Sequence, residues 1–393
     1  RSPYDPDSET GYNVWINESL DYNVVADAML EDYYGLDKWF KPEVNLKLNI
    51  KPIPGLNYQQ VVGYENRQWE LHQYWPSTHR SEIDNSRKGH AHLAFSKTEN
   101  LTSEGYFSYV KDFKGGHNLN ATAGYSYFEV NGENFGMDNY NFSVDGIKYW
   151  DIGQGSYLTD GKAGMSSGKS VTERLFSFFA RANYSYQDKY MLSASIRHEG
   201  SSKFAADNRW ANFWSATAGW RISNEEFMKD FDWLDDLKIR FGYGVTGNND
   251  FSATYMANML GSDTNWMMPN GTWAYSYGKS QNVNPNLGWE EKKEWNLGVD
   301  YSFFEGRLYG KFDYYRREVD NLLFSVKVPQ PPYTQGSQMQ NIGSMESKGW
   351  EFEVGGDIIR TKDFTWSSSM NLSHNTGKIL TLEGDNSYHN GNG

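Results

Sequence analysis

Apolar and polar residues alternate along many segments of the chain, with a period of two residues. From Phe176 to Tyr186 the even positions are apolar or aromatic and the odd positions are mostly polar. The same alternation resumes at Tyr190, after the short stretch Gln187–Lys189. A period of two places every second side chain on the same face of an extended strand. Residues 176–197 are therefore predicted to form an antiparallel hairpin with a short turn.

This pattern recurs along the rest of the sequence and predicts about twelve strands of roughly 9–14 residues, near the length that a tilted membrane strand requires. The clearest copies lie at 214–222, 237–245, 295–303 and 308–314, and others begin at Val44, Leu56, Leu101, Leu119, Trp350 and Phe364.

Two features separate these strands from those of an ordinary soluble sheet. Their apolar faces often end in an aromatic residue, as at Trp214, Trp295 and Tyr314, and aromatic rings gather at the two interfaces of a bilayer. Their opposite faces carry Lys, Arg and Asp inside the strands. Alternating short turns and long loops are also typical of outer-membrane barrels. The short turns are predicted at 187–189, 304–307 and 360–363, and the long loops at about 75–100, 131–173, 247–288 and 320–347.

Composition supports a membrane barrel and excludes several kinds of site chemistry. Aromatic residues make up 17% of the chain, whereas disordered segments are poor in them. The chain has no Cys, which excludes thiol catalysis, disulfides and Cys-ligated zinc. A net charge of −13 argues against nucleic acid as a partner. No apolar run approaches the ~18 residues of a membrane helix. No signal peptide is visible at Arg1, so we expect a mature and truncated chain.

The predicted fold class is therefore all-β, an antiparallel transmembrane β-barrel. Open sheet edges are excluded from hydrocarbon because each unpaired backbone group costs several kcal/mol there. A dozen strands are thus expected to belong to a larger closed barrel, with 1–393 as a partial barrel domain. The alternative is a soluble sandwich, in which the alternate apolar residues would be sealed between two stacked sheets.

Several motifs stand in order along the chain, and they are Arg181–Tyr190, Ser195–Phe204, Trp210–Ser215, Gly219–Met228, Leu237–Asn248, Asn284–Glu290 and Asn341–Glu351. Together they resemble the SusC/RagA-type TonB-dependent transporters of Bacteroidetes, within a match over residues 40–375. The sequence departs from the family pattern at Trp214, where Pro is usual, at Ser347, where Asn is usual, and at His198-Glu199, where Asp is common.

The resemblance implies a barrel of about 22 strands in the outer membrane. It also implies import of oligosaccharides or peptides through a plugged lumen, a SusD-like surface lipoprotein as a lid, and energy from the TonB–ExbB–ExbD complex. The family's plug domain, TonB box and final strands have no counterpart in residues 1–393. We therefore expect a transporter that is not an enzyme. The competing functions are a non-transporting binding or adhesion scaffold in the outer membrane, and a soluble all-β carbohydrate-binding or hydrolytic domain.

The candidate binding residues lie in one predicted loop. Trp266, Trp273, Tyr275 and Tyr277 stand among Asn, Gly and Met. Exposed aromatic rings stack on sugar faces or hold peptide side chains, so this segment is the predicted substrate contact. The simpler interpretation is that the rings pack the loop on itself or against a lid lipoprotein.

Titratable residues give no second site. The carboxylate pairs at 225–226, 235–236 and 290–291 are interpreted as solvated turns and strand ends. His90 and His92 would share a strand face, and His72 and His79 are too far apart for a one-turn metal pair. Asp138-Asn139 and Asp5–Asp7 offer oxygen atoms for Ca²⁺ but lack EF-hand spacing, so we expect loop turns and no cofactor. A further stretch, Asn224–Asp236, has helical spacing and is predicted to be a short amphipathic helix. We interpret it as packing on the periplasmic rim of the barrel, and the alternative is a partner site.

Overall fold

The computed structural model describes residues 4–13, 23–256 and 260–382, and most of them lie in β-strands. The strands are β1 Asp32–Phe40, β2 Glu43–Asn49, β3 Leu56–Trp75, β4 His90–Phe113, β5 His117–Tyr140, β6 Gly164–Lys169, β7 Glu173–Tyr186, β8 Tyr190–Ser201, β9 Trp210–Arg221, β10 Leu234–Asn248, β11 Leu260–Met267, β12 Trp273–Lys279, β13 Glu290–Phe303, β14 Leu308–Asp320, β15 Leu323–Lys327, β16 Ser337–Asn341, β17 Ser344–Arg360 and β18 Thr365–Thr381. The helices are α1 Val24–Leu30 and α2 Arg80–Asp84, with 3-10 turns at Asp145–Ile147, Ile152–Gln154, Ala206–Asn208, Ile222–Asn224, Glu226–Met228 and Ala253–Met256.

Fourteen of these strands form one sheet, in which twelve are neighbours in the order β1-β3-β4-β5-β7-β8-β9-β10-β13-β14-β17-β18. β2 pairs with β3 and β6 with β5, whereas β11–β12 and β15–β16 are separate hairpins. The pairings that join β7 through β18 are all antiparallel. The predicted antiparallel all-β class is confirmed, and eleven of the twelve neighbours in this order were predicted as strands. The twelfth, β1, was missed, as were β6, β11, β12, β15 and β16, and the strand predicted at Val44 is β2, which lies outside this order. In the described part of the chain β1 and β18 do not pair with each other, so the sheet has two open edges.

The chain divides into two compact units. The first contains the described parts of residues 1–43, 63–101 and 130–172, and the second those of 44–62, 102–129 and 173–393. A small core in the first unit is formed by Tyr74, Ala91, Phe142 and Tyr149. The core of the second unit is formed by Phe204, Phe213, Phe251, Leu287 and Trp289.

The strand register of the second unit separates its sheet into an apolar face and a polar face. Along β10 and β13, Ile239 pairs with Val299 and Phe241 with Leu297. Between these pairs, Arg240 lies opposite Gly298 on the other face. A shift by one residue would exchange the two faces, so the hydrophobic pattern specifies this register.

The apolar face is exposed. Leu192, Ile196 and Phe241 have 55%, 52% and 51% of their surface accessible although they lie within central strands. Within the described residues, these side chains are therefore not sealed between two sheets, as a soluble sandwich would require. An apolar sheet face of this size needs another apolar phase to cover it.

Aromatic residues mark one end of the apolar face. Trp214 and Tyr243 have ring centroids 5.2 Å apart, and Trp295 and Tyr314 have theirs 5.5 Å apart. Trp350 continues the series because it pairs with Tyr314. We call these five residues, on β9, β10, β13, β14 and β17, the aromatic row. It agrees with the aromatic strand ends expected from the sequence.

The connections of the second unit lie alternately at the two ends of the sheet, and the two longest, 249–289 and 321–343, share one end, which we call the long-loop end. Connections 187–189, 222–233 and 304–307 join successive strands at one end, and connections 202–209, 249–289 and 321–343 join them at the other. Successive connections of an antiparallel meander lie at opposite ends of the strands. The predicted hairpin turn at 187–189 is confirmed, with Tyr186 pairing directly with Tyr190.

The predicted strand lengths were wrong for three strands. β3 has 20 residues, and β4 and β5 have 24 each, so residues 90–100 and 131–140, predicted as loop, are strand. A strand of 24 residues tilted by 45° rises about 56 Å, roughly twice the height of the apolar band of a membrane barrel. Residues 96–100 of β4 carry polar side chains on both faces, such as Lys97 and Asn100, so the alternation that signals a strand is absent there.

The predicted helix at Asn224–Asp236 was also wrong. The segment forms the 3-10 turn Glu226–Met228, and β10 already begins at Leu234. Glu225 occupies the capping position, but its side chain does not cap the turn. Elsewhere, no helix in the described residues has the length and apolar character needed to cross a membrane.

Candidate functional site

The four predicted aromatic residues lie in the β11–β12 hairpin. Trp273, Tyr275 and Tyr277 alternate along β12 and keep 64%, 76% and 70% of their surface exposed. Side chains two residues apart on a strand share a face and are separated by about 7 Å. The structure therefore brings these three rings into one exposed line, which we call the aromatic line.

Trp266 is not part of this line. It pairs with Ala274, whereas the neighbouring Met267 pairs with Trp273. Directly paired residues of antiparallel strands have their side chains on the same face. Trp266 therefore projects from the opposite face of the hairpin, where 65% of its surface is exposed.

The turn of the hairpin is closed by its own backbone. The Met268 N–H donates to the Thr272 carbonyl at 2.8 Å, and the Gly271 N–H donates to the Met268 carbonyl at 2.8 Å. Gly271 has a φ of +81°, a conformation that favours glycine. The Asn270 side chain accepts from the Thr272 backbone N–H and hydroxyl. These contacts hold β11 and β12 in register.

Two asparagines anchor the segment that follows the hairpin. The buried Asn282 side chain donates to the carbonyls of Gln335 and Ser337 at 2.7 and 2.8 Å. Asn341 exchanges hydrogen bonds of 2.7 and 2.9 Å with the backbone of Gly288. Each amide replaces a backbone pairing between segments far apart in sequence. No local pattern in the sequence indicates either partner.

A core beneath these loops supports the same region. Trp289 contacts Phe204 and Phe213 with ring centroids 5.0 and 5.2 Å away, and its indole N–H donates to the Arg209 carbonyl at 3.0 Å. Leu287 is fully buried in this core. The base of the aromatic line is thus fixed to the long-loop end of the strands.

The polar face carries a charge cluster across three strands. Arg240 on β10 forms a two-pronged ion pair with Asp300 on β13, with distances of 2.8 and 2.9 Å. Its terminal nitrogen also lies 3.2 Å from Asp313 on β14. Gly298 makes room for this arrangement, because a Cβ there would lie 2.6 Å from Asp313. The cluster places one cation between two carboxylates.

A cavity of about 560 Å³ lies beside this cluster in the second unit. Amide and hydroxyl groups dominate the polar part of its lining, and they donate and accept hydrogen bonds without imposing a charge. The polar lining residues are Asp112, Asn118, Asn120, Asn183, Ser185, Ser193, Thr217, Lys238, Arg240 and Asn296.

The two strand histidines do share a face, as expected. His90 Nε2 and His92 Nδ1 lie 2.9 and 2.8 Å from the same Oδ1 atom of Asp138. The neighbouring Asn139 donates to the carbonyls of Ile152 and Gly155. Across the residues that the structure describes, no group of three or more His, Asp or Glu is arranged to hold a metal ion. The expectation of no resident cofactor, and of no Ca²⁺ in these loops, stays a prediction.

The carboxylate pairs lie in turns and at strand ends. Glu225 accepts hydrogen bonds from Tyr190 at 2.6 Å, from Lys189 at 3.1 Å and from Trp220 at 3.1 Å. These three donors lower the pKa of Glu225 to about 2, with the Tyr190 hydrogen bond contributing most. The Glu225 carboxylate is thus held ionised at the end of the sheet where β8 begins and β9 ends. Asp235 accepts from the backbone of the 304–307 turn.

One exposed apolar face, one charged face, an aromatic row and the two longest connections at the same end are the features of a membrane β-barrel wall. The chain belongs to the family described as TonB dependent receptor-like, beta-barrel, which it matches over residues 3–392. The family resemblance inferred from the sequence motifs is confirmed, and this is a family of outer-membrane receptors and transporters.

Two relatives illustrate the similarity. The chain is 32% identical over 357 residues to TonB-dependent receptor P39 of Formosa agariphila, covering 88% of this chain and 32% of the relative. It is 39% identical over 229 residues to TonB-dependent receptor SusC of Bacteroides thetaiotaomicron, covering 57% of this chain and 23% of SusC. The chain thus spans about a third or less of the length of these relatives.

Solved structures share the fold. The RagAB peptide transporter superposes with a TM-score of 0.83 and 23% identity, over 95% of this chain and 40% of the matched chain. The RagAB peptide importer in its open-open state gives a TM-score of 0.80.

Proposed function

We propose that this chain forms part of the barrel wall of an outer-membrane transporter that imports oligosaccharides or peptides. The observation that carries the proposal is the exposed apolar face of the second unit, with Leu192, Ile196 and Phe241 half accessible in central strands. Lipid covers such a face on the outside of a membrane barrel. The polar face, with Arg240 and its two carboxylates, then lines the lumen.

Energy and partners are assigned from the relatives. Each of the two named relatives is called a TonB-dependent receptor, and the RagAB structures are described as a peptide transporter or importer. We assign to this protein energy from the TonB–ExbB–ExbD complex and a SusD-like surface lipoprotein at the long-loop end. Transport then needs no covalent chemistry, only selective binding and a gated path.

The aromatic line is the proposed substrate contact. Trp273, Tyr275 and Tyr277 present three flat apolar surfaces at even spacing, and they stand at the long-loop end, where substrate enters. Flat rings bind the apolar faces of sugars and the apolar side chains of peptides. Trp266, on the opposite face of the hairpin, makes no contact with the same ligand.

The test uses the complete protein in cells and a panel of fluorescent oligosaccharides and peptides. The triple variant Trp273→Ala, Tyr275→Ala, Tyr277→Ala is expected to bind its probe at least tenfold more weakly, since each ring contact contributes about 0.5–1.5 kcal/mol. Trp266→Ala, the matched control on the other face, is expected to retain binding. Equal uptake by both variants and by the wild type would remove the aromatic line from the proposal.

Two measurements separate transport from the competing functions. Uptake that stops when the TonB complex is inactivated, while surface binding persists, supports import and excludes a pure adhesion scaffold. Recovery of the complete protein from an aqueous extract without detergent would instead support a soluble carbohydrate-binding domain.

A further inference from the structure

One strand of the first unit has a free edge. Among the strands that the structure describes, β6 pairs only with β5. Lys169 pairs with Glu133 at one end of β6, and Gly164 pairs with Asp138 at the other. These partners lie in the last third of β5, next to the long connection 141–163. Because β5 rises to about twice the height of the apolar band and carries two carboxylates here, this edge lies in water.

The free edge presents the main-chain groups of three residues. Just beyond β6, the Ser170 N–H donates to the Gly132 carbonyl beside β5 at 2.8 Å. Successive residues of an antiparallel strand point their main-chain groups to opposite sides. Met165, Ser167 and Lys169 therefore point their N–H and C=O groups away from β5. Within the described part of the chain, no hydrogen bond reaches these groups.

The side chains of β6 leave this edge accessible. Met165 is 79% exposed, and the residues from Ser166 to Lys169 are exposed as well. Edge strands usually avoid pairing with another chain by carrying charges, proline or a bulge. β6 has a single charge, on Lys169 at its end, and its ladder with β5 is regular. A further strand can therefore pair along it.

The side chains on one face of the edge give an added strand a sequence preference. Met165, Ser167 and Lys169 share this face, and Ser167 pairs with Phe135. The Phe135 ring is 47% exposed and stacks on Phe95 with centroids 5.2 Å apart. Lys169 is exposed and has no ion pair among the described residues. The face is thus apolar near Met165 and cationic four residues later.

The length of the edge fits a peptide. A strand of six residues extends over about 20 Å. A stable interface between two proteins needs about 20–30 residues on each side, so β6 is too short to hold a protein subunit by itself. A sugar chain has no alternating row of N–H and C=O groups and cannot continue the ladder. A peptide of about seven residues covers the edge completely.

We propose that the free edge of β6 binds a substrate peptide, which adds to the sheet as an extended antiparallel strand. This rests on the proposed function, because it selects peptides from the two substrate classes considered there. The antiparallel direction is chosen because its pairing is the more stable one. The peptide then places an acidic residue opposite Lys169 and an apolar residue opposite Met165, four positions apart.

The test measures the fluorescence anisotropy of labelled peptides with the complete protein in detergent. The first peptide has seven residues, with glutamate second, valine sixth and threonine elsewhere. The second carries N-methyl groups on residues two, four and six, whose N–H groups face β6, and the third carries them on residues three and five, which face away. We expect the second peptide to bind at least tenfold more weakly than the first, because three hydrogen bonds are lost, and the third to bind like the first.

Variants of β6 test the same contacts from the other side. Ser167→Pro removes one outward N–H without breaking a hydrogen bond to β5, since proline is tolerated where a strand N–H faces solvent. We expect it to bind the first peptide about two- to tenfold more weakly, whereas the matched control Ser167→Ala should bind like the wild type. Lys169→Glu should prefer a peptide with lysine in place of the glutamate. The gel mobility of unheated samples checks that each variant is folded.

Three results would overturn the proposal. They are no binding of the first peptide to the wild type, equal binding of the two methylated peptides, and an unchanged affinity of folded Ser167→Pro. Each is compatible with TonB-dependent uptake of oligosaccharides, in which case the proposed function stands. The proposed function fails instead if cells with the wild type take up no probe of the panel, whether or not the peptide binds to β6.

Discussion

A basic residue placed in the middle of the apolar face should destabilise the protein far more than the same residue on the polar face. Val299 lies midway along β13 between Trp295 and Phe303, and it pairs with Ile239 and Phe312. An arginine at the midplane of a membrane barrel costs about 2–4 kcal/mol on the lipid face. Val299→Arg should therefore reduce the ratio of folded to unfolded protein about 30- to 900-fold.

Asn296→Arg is the matched control on the same strand. Asn296 lies on the polar face and lines the cavity of about 560 Å³, which has room for a larger side chain. The complete protein is refolded from urea into phospholipid vesicles, and the folded fraction is read from the gel mobility of unheated samples. We expect Asn296→Arg to shift the urea midpoint only slightly. Equal shifts for both variants would mean that the apolar face does not meet lipid, and the fold assignment would fail with it.

Three further predictions concern the charge cluster, a turn and the loop core. Arg240→Ala leaves Asp300 and Asp313 without their shared cation, and we expect a lower urea midpoint that Arg240→Lys partly restores. The pKa of Glu225 is lowered to about 2 from an ordinary 4.5, so its contribution to stability is complete above pH 4.5 and disappears as the pH falls toward 2. In Glu225→Gln, the urea midpoint should change less with pH across that range than it does in the wild type. An unchanged pH profile would contradict the assigned hydrogen bonds. Leu287→Ala should lower the free energy of unfolding by about 2–5 kcal/mol and speed hydrogen exchange in β11–β12 and β15–β16. Exchange as slow as in the wild type would show that the core does not anchor these loops.

Much of the wall could be predicted from local pattern. The alternation along 237–245 and 295–303 is a property of each segment, and the register simply joins the two apolar series. The turn at 187–189 is equally local. Where both faces of a strand are polar, as near Lys97, the pattern has no contrast, and the extensions of β4 and β5 were missed.

The arrangement of the candidate binding residues could be predicted only in part, and their contact with substrate stays a prediction. The sequence places Trp266, Trp273, Tyr275 and Tyr277 in one aromatic segment, but it does not say which rings share a face. That depends on the pairing of Trp266 with Ala274, which puts Trp266 on the side opposite Trp273. A turn shorter or longer by one residue would have reversed the assignment.

About a dozen strands with one apolar and one polar face can be read from the sequence, because the period of two is a property of each segment. Which distant residues meet depends on the fold as a whole. Asn282 reaches the carbonyl of Gln335, 53 positions away, and Arg240 reaches Asp313, 73 positions away. Such contacts follow from strand order, register and loop path together, and no local pattern encodes these three at once.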